Sequence, residues 1–311
     1  MSIKDAVIIN SRKAVNKLLS YNYPEVSDNW EKYYDNPVIG KKNENSFFDP
    51  FVLVENGQFL MIVSNRENNS IDLYKSKDGM FWNFSDNILK LDHPEAAINR
   101  ASLVVTSSRD WKLFFTYQLR NKSCIKMIVS EKLNFQLNRA ITCIGSLEES
   151  YCVMNPCVIW DLDEKIYKMW YAQGNFYEPD MLCYATSKDG IEWNKYNSPV
   201  LTKNKHDLYR KCKVGGCHVI KNSDKSYEMF YIGYQNIDVS GICHAFSDDG
   251  IHWKQNCYNP IIAASKKGWD CSAVYKPAAI HKNGYMYLWY NGRRNKQECI
   301  GLAMRKVANV R

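Results

Sequence analysis

The chain has 311 residues, of which 45% are hydrophobic and 24% charged, a composition that supplies a globular core and excludes disordered and fibrous folds. Its eleven cysteines include no Cys-x-x-Cys pair, which argues against a disulfide scaffold and a zinc ribbon. The net charge of +8 is a mild basic bias that suggests acidic ligands.

Residues 1–29 are predicted to form an N-terminal extension with a short helix around residues 14–19. No apolar stretch follows Met1 and no run of 18 apolar residues occurs, so the sequence predicts neither a secretion signal nor a membrane span. We therefore expect a cytoplasmic protein whose cysteines are reduced.

A seven-residue signature, Ser-x-Asp-Gly-x-x-Trp, occurs three times, beginning at Ser76, Ser187 and Ser247. The Asp-Gly step is typical of a tight turn, in which glycine supplies a positive φ. Period-2 strand patterns precede each copy, and a degenerate copy without the turn lies between the first two. The repeat therefore predicts units of four strands.

Five equivalent positions, spaced 51, 55, 60 and 61 residues apart, mark where the first strand of each unit begins. They are Asp49, Arg100, Asn155, Gly215 and Lys276. The last unit lacks its fourth strand at the C-terminus, and residues 30–39 resemble the strands that follow Trp193 and Trp253.

We interpret the chain as an all-β protein in which residues 30–311 form one five-bladed β-propeller. The N-terminal strand completes the last blade and closes the ring, which removes open sheet edges. The alternative is a two-sheet β-sandwich with accidental similarity. Three copies of the signature and the displaced strand argue against it.

In a propeller the first strand of each blade lines the central channel, so the five equivalent positions converge on one mouth. Three of them are followed by proline, which tolerates the start of a strand. An aspartate at such a position, between Phe48 and Pro50, is costly unless it is used or paired. Asp49 is therefore the strongest candidate for a functional residue.

These features resemble the five-bladed glycosidase superfamily, which includes arabinanases and xylosidases of family 43, invertases, levansucrases and mannoside phosphorylases. The resemblance covers about residues 30–306 and implies that Asp49 supplies a general base or nucleophile. Asn155-Pro156 stands where such members carry a second Asp-Pro, and residues 213–216 lack their acidic glutamate. Arg100 lies in a segment without the Arg-Asp-Pro motif of the invertases.

Glycoside cleavage usually needs two carboxylates, so substitutes are expected on loops that enter the mouth. Glu149 and Asp270 are the candidates for the catalytic acid, and Asp207 is a candidate substrate ligand. The alternative for each is a solvated loop carboxylate.

Cations cluster near the same mouth, where Arg100 and Lys276 hold strand-start positions and Arg210 precedes blade four. Because converging cations repel one another unless an anion compensates, an anionic substrate is expected. An acidic sugar, a sugar phosphate and inorganic phosphate all fit this chemistry. Lys211 and Lys213 could equally face outward.

Other predicted substrate ligands are Asn155, through hydrogen bonds, and Tyr151 and Tyr275, through stacking on a sugar ring. His218 is a further candidate, with a structural strand histidine as its alternative. We expect no metal, no cofactor and no nucleic-acid partner, because no motif for any of them occurs.

The sequence thus predicts a carbohydrate-active, glycosidase-like enzyme that acts on a glycosidic bond of an anionic sugar in the funnel. A glycosyltransferase or phosphorylase of intracellular or surface-glycan metabolism is one alternative. A non-catalytic glycan-binding propeller is the other.

Overall fold

Five antiparallel sheets surround a central channel, each with its first strand innermost. The computed structural model describes residues 3–41, 45–105, 110–175 and 179–307. The chain begins with helix α1 (Ile3–Leu18) and strand β1 (Glu31–Lys32). This architecture confirms the all-β, five-bladed propeller that the repeats predict.

Blade 1 consists of β2 (Phe47–Glu55), β3 (Gln58–Asn65), β4 (Ser70–Ser76) and β5 (Asn83–Lys90). Blade 2 consists of β6 (Ala96–Val105), β7 (Trp111–Leu119), β8 (Lys122–Ser130) and β9 (Ile141–Ile144). Blade 3 consists of β10 (Cys152–Asp161), β11 (Ile166–Gly174), β12 (Met181–Ser187), β13 (Asn194–Lys195) and β14 (Leu201–Thr202). Blade 4 consists of β15 (Lys213–Lys221), β16 (Tyr227–Asn236), β17 (Val239–Ser247), β18 (Lys254–Gln255) and β19 (Ile262–Ala263). Blade 5 consists of β20 (Ala273–Lys282), β21 (Tyr285–Arg294) and β22 (Gln297–Lys306), with β1 on its outer edge.

The ring closes through β1, which pairs antiparallel with β22 in the register Glu31 to Met304 and Lys32 to Ala303. The Lys32 ammonium donates to the Asp270 carboxylate at 2.8 Å, and this carboxylate is 1% exposed. Because an edge of blade 5 would otherwise be unpaired, the closing strand covers a site of potential aggregation. The predicted closure is confirmed.

The repeated signature forms a compact turn that also joins blades. In its first copy the Asp78 carboxylate accepts the backbone N–H groups of Met80 and Phe81, and Gly79 has φ of +79°. The Trp82 indole donates to the Gly79 carbonyl at 3.0 Å, and Trp289 of blade 5 donates to the same carbonyl at 2.9 Å. The tryptophans therefore pack blades against one another, away from the channel.

Helix α1 is longer than the sequence pattern predicts, and blade 4 holds its C-terminal half. Arg12 donates two hydrogen bonds to the Asp238 carboxylate, at 3.1 and 3.0 Å, and the Asn16 amide donates a third at 2.7 Å. These contacts fix the helix beside the hairpin that joins β16 and β17. Within the described residues, no helix has the length and apolarity needed to span a membrane.

Candidate active site

A β-bulge interrupts the innermost strand of every blade, at the five positions that the sequence identifies as equivalent. The residues displaced by these bulges include Asp49, Arg100, Asn155, Gly215 and Lys276. The four that are not glycine adopt left-handed backbone conformations, with φ between +44° and +56°. Such conformations are costly for residues with a Cβ and cluster at functional sites.

Three of the bulges are held by a polar side chain from the second strand of the preceding blade. The pairs are Asp49 with Asn291, Arg100 with Ser64 and Asn155 with Thr116, at N···O distances of 2.7, 3.1 and 3.1 Å. In each pair the displaced residue donates its backbone N–H. The side chain of that residue is consequently free of the strand ladder and can enter the channel.

The bulges surround a funnel-shaped cavity of about 510 Å³ at one mouth of the channel. Its charged and hydrogen-bonding walls include Asp49, Arg66, Arg100, Tyr275, Arg293 and Glu298. This volume is within the range of small-ligand sites, although the walls are more polar than is usual.

Asp49 is the central carboxylate of the funnel and is 5% exposed. Its Oδ2 lies 3.6 Å from Arg100 Nε and accepts no hydrogen bond from the described residues. Burial raises the pKa of Asp49, while Arg100 and Lys276 act in the opposite direction. A carboxyl group with a raised pKa and a free oxygen atom is suited to transferring protons to a ligand.

Lys276 is a buried cation beneath the funnel floor, with 2% exposure and no ion-pair partner among the described residues. Burial, followed by the charge of Lys276, lowers the pKa of His218 to about 3. His218 is therefore neutral in the folded protein. Its imidazole lies toward the opposite mouth of the channel, 5.3 Å from the Phe51 ring.

Asn155 is 3% exposed, and its Oδ1 has no hydrogen-bond donor among the described residues. The amide packs against Gly216, where a Cβ would come within 2.6 Å of Asn155 Cγ. Glycine at this bulge therefore leaves room for the amide, and Asn155 has an acceptor atom available to a ligand hydroxyl.

Two predicted catalytic acids lie outside the funnel lining, in contrast to the expected placement on loops that enter the mouth. Asp270 is buried between Lys32 and Tyr290, whose hydroxyl donates to it at 3.1 Å, so it anchors ring closure. Glu149 accepts the Ser146 N–H of its own loop at 3.1 Å, and burial, followed by the nearby Glu149, raises the pKa of Tyr151. Local pairing holds both carboxylates away from the cavity.

Asp207 and Arg210 also pair locally. The Asp207 carboxylate accepts the Tyr209 N–H at 3.1 Å and the Arg210 Nε–H at 2.8 Å, and thereby caps the short 3-10 turn Leu208–Arg210. Neither side chain lines the funnel. Of the predicted ligands, the structure brings Arg100, Asn155 and Tyr275 to the funnel wall with Asp49.

The sequence reasoning missed Glu298, Arg66 and Arg293, because it aligned only the innermost strands. Arg66 and Arg293 each follow, by two residues, a side chain that holds a bulge: Ser64 in blade 1 and Asn291 in blade 5. Alignment of the second strands could therefore have found both arginines. Glu298 comes from the third strand of blade 5 and has no counterpart in the repeat.

Glu298 is 4% exposed, and its two carboxylate oxygens have different partners. Oε2 accepts from Arg66 at 2.5 Å, and Oε1 accepts from the Tyr275 hydroxyl. Glu298 also contributes to the raised pKa of Asp49, so the two carboxylates share one electrostatic environment. Among the described residues, no group of three His, Cys, Asp or Glu side chains is arranged to hold a metal ion.

Known proteins share the fold that surrounds this funnel. Residues 8–130 match the model of the glycosyl hydrolases family 32 N-terminal domain. A β-1,2-mannobiose phosphorylase from Listeria innocua superposes with a TM-score of 0.67 at 14% identity, over 90% of this chain and 97% of that one. The chain has the fold of the five-bladed β-propeller glycosidase superfamily. The predicted resemblance is confirmed at this level.

Two further solved structures share this propeller. An N-acetylgalactosamine deacetylase from F. plautii, in complex with blood group B trisaccharide, superposes with a TM-score of 0.70 at 14% identity, over 92% of this chain and 95% of that one. A thermostable family-43 glycoside hydrolase superposes with a TM-score of 0.67 at 14% identity, over 87% and 92% of the two chains. Identities this low establish the fold of the propeller and leave its chemistry to its own residues.

Among curated proteins, the uncharacterized protein Rv1502 of Mycobacterium tuberculosis is 25% identical over 162 residues. The match covers 50% of this chain and 52% of that protein, so the chain spans about half the length of the curated relative that it matches.

Proposed function

We propose that this protein is a carbohydrate-active enzyme that cleaves the glycosidic bond of an anionic sugar in the funnel. Asp49 carries the proposal. It is a buried carboxyl group with a raised pKa, an oxygen atom that accepts no hydrogen bond from the described residues and a strained backbone, and it faces a ligand-sized cavity. We assign to Asp49 the role of the general acid, which donates a proton to the leaving oxygen. The sequence reasoning made it a base or nucleophile, but a raised pKa favours proton donation.

The charge of the funnel supports an anionic substrate. Arg66, Arg100 and Arg293 line the cavity, and Lys276 lies below it. Asp49, Asp238 and Glu298 are the carboxylates of the lining. Asp238 is neutralised by Arg12 from helix α1, which lies outside the lining, so the remaining groups carry an excess of positive charge. Guanidinium groups bind carboxylates and phosphates through paired hydrogen bonds.

The replacement of Asp49 by Asn tests the catalytic assignment. Turnover of a glycoside panel should fall by about 10²–10⁴-fold, because proton transfer contributes that much, while ligand affinity should stay within a few-fold. Asp86→Asn, which alters an exposed carboxylate on β5, is the matched control and should leave turnover unchanged. Undiminished turnover in Asp49→Asn would contradict the assignment, and binding without any turnover in the wild type would establish a glycan-binding propeller instead.

Anionic recognition has a separate test, in which acidic and neutral oligosaccharides of equal size are bound at two salt concentrations. The acidic sugar should bind more tightly, and its advantage should shrink at high salt. Equal affinity for both sugars would contradict the proposal.

Phosphorolysis is a second candidate, because the arginines that line the cavity, Arg66, Arg100 and Arg293, could hold inorganic phosphate. Assays with and without phosphate separate the two reactions by their products, a free sugar or a sugar 1-phosphate.

We further propose a cytoplasmic location. All eleven cysteines lie in the described residues and none forms a disulfide, which supports a reducing compartment.

A further inference from the structure

A phenol and a carboxylate form a pair on the wall between blades 5 and 1 that the proton transfer by Asp49 does not use. The Tyr275 hydroxyl donates to Glu298 Oε1, and Arg66 donates to the other oxygen of Glu298 at 2.5 Å. Tyr275 and Glu298 line the same cavity as Asp49. The two groups therefore face the cavity that Asp49 faces, and both lie within electrostatic range of Asp49.

The arrangement has the three parts of an activated nucleophile: an attacking oxygen, a base within hydrogen-bond reach of it, and a third group that orients the base. Tyr275, Glu298 and Arg66 take these parts in turn. Burial, followed by the charge of Glu298, raises the pKa of the Tyr275 phenol well above its ordinary value. The phenol thus keeps its proton at rest, and attack requires a base in position.

The arginines surround these reacting groups at short distances. Arg100 Nε lies 3.6 Å from Asp49 Oδ2, and the Arg293 guanidinium carbon lies 5.8 Å from the centre of the Tyr275 ring. Arg66 contacts Glu298 directly. A ligand carboxylate bound by these cations would consequently lie next to the carbon that reacts.

A substrate whose carboxylate lies next to the reacting carbon limits which side chain can act as the nucleophile. A carboxylate nucleophile would approach a second carboxylate at a few ångströms, and like charges at that separation repel strongly in a buried site. A neutral phenol avoids this repulsion until its proton leaves. The position of the cations therefore favours Tyr275 over Asp49 or Glu298 as the attacking group.

We propose that Tyr275 is the nucleophile of this enzyme, with Glu298 as its base, and that the substrate is a glycoside of a 2-keto sugar acid, whose carboxylate is attached to the anomeric carbon. This inference rests on the proposed glycosidase function. It assigns the second catalytic group that the sequence left open.

The first step joins Tyr275 Oη to the anomeric carbon while the phenolic proton moves to Glu298. The glycosidic C–O bond breaks, its electron pair stays on the leaving oxygen, and the Asp49 carboxyl group protonates that oxygen. In the second step water attacks the anomeric carbon and gives a proton to Asp49. The bond to Tyr275 breaks, and the phenolate recovers its proton from Glu298. Two displacements retain the anomeric configuration.

The test uses fluorinated probes that form slowly hydrolysed adducts: 2,3-difluoro derivatives of N-acetylneuraminic acid and of 3-deoxy-octulosonic acid, with 2-deoxy-2-fluoro-glucuronyl fluoride for comparison. Peptide mass spectrometry of the wild type should place a keto-acid adduct on Tyr275. Tyr275→Phe should form no adduct and lose turnover by at least about 100-fold while it remains folded. Glu298→Gln should slow adduct formation by about the same factor.

Tyr290→Phe is the matched control, because Tyr290 also donates to a buried carboxylate, that of Asp270 before β20, but lies outside the funnel lining. It should keep full turnover per folded molecule.

An adduct on a carboxylate, or undiminished turnover in Tyr275→Phe, would overturn the nucleophile and leave the proposed glycosidase function standing. Labelling of Tyr275 by the glucuronyl probe alone would overturn the sugar class. A wild type that forms no adduct and cleaves no glycoside of any class would overturn both proposals.

Discussion

The two mouths of the channel are built from the same five innermost strands and differ in the polarity of their walls. The funnel is lined by charged and polar side chains, several of them on left-handed residues. The opposite mouth holds a cavity of about 550 Å³ whose walls are mainly aliphatic and aromatic. Its lining includes Phe51, Leu103, Val158, Val219 and Ile280.

The bulges explain the difference. Beyond each bulge the innermost strand returns to a regular ladder, in which alternate residues face the channel and are apolar. At the bulge one displaced residue leaves that alternation and brings a polar group inward. The apolar mouth thus stabilises the folded protein, whereas the buried charges of the funnel destabilise it.

The largest expected effect concerns His218 at the apolar mouth. Its folded pKa of about 3 lies below the ordinary value of 6.5, so His218 contributes stability that is present above pH 6.5 and is lost as the pH falls toward 3. The wild type should therefore lose up to about 5 kcal/mol of its free energy of unfolding through His218 between pH 6.5 and pH 3, and His218→Leu should not show this loss. The measurement is urea unfolding between pH 3 and 8.

His206→Leu, at an exposed histidine, is the control for the His218 experiment. It should follow the wild-type pH dependence. Identical profiles for the wild type and His218→Leu would show that the apolar mouth does not hold a neutral histidine.

The second effect contrasts two phenylalanines on β2 that flank the bulge. Phe51 is 7% exposed in the apolar core, so Phe51→Ala should lower the free energy of unfolding by about 3–4 kcal/mol with unchanged turnover per folded molecule. Phe48 lines the funnel, and its ring centre lies 4.5 Å from the Arg66 guanidinium carbon. Phe48→Ala should cost about 1 kcal/mol and lower turnover. Denaturation measures the free energy of unfolding of each variant, and steady-state kinetics measures its turnover. Equal effects of Phe51→Ala and Phe48→Ala on turnover would contradict the difference between the two mouths.

The smallest effect comes from Asp49 itself. Because burial raises its pKa above 3.8, wild-type stability should fall as the pH rises from 3.8 through the folded pKa. The fall should be about 1.4 kcal/mol for each pH unit by which the folded pKa exceeds the unfolded one. Asp49→Asn should lack this fall and be the more stable protein at pH 8, with the two curves meeting near pH 3. Asp86→Asn should show the wild-type fall. An Asp49→Asn variant that is less stable at pH 8 would contradict a cost of buried charge at the funnel.

Much of the fold was predictable, because it repeats. Three copies of one turn and a displaced N-terminal strand indicated the number of blades and the closure by β1, and both are present. The five channel positions were also predictable from their spacing. Helix α1 was predicted too short, since its length depends on contacts of Arg12 and Asn16 with a distant hairpin.

The assignment of the site was predictable only in part. Asp49, Arg100, Asn155 and Tyr275 could be placed at the funnel because each lies on or next to a repeated position. Asp270 and Glu149 could not be placed, since their partners Lys32 and Ser146 are known only once the chain is folded. A loop carboxylate has the same local sequence whether it faces a cavity or an ammonium group.

The sequence by itself determined the propeller, its closure and the residues at the five bulges, because strand period, turn chemistry and repeat spacing are local properties. The tertiary structure alone decided which charges meet. Glu298, Tyr275 and Arg66 come from two blades at opposite ends of the chain, and ring closure brings them together beside Asp49. Electrostatic interaction depends on distance through space and on burial, and neither is encoded in the order of residues along a strand.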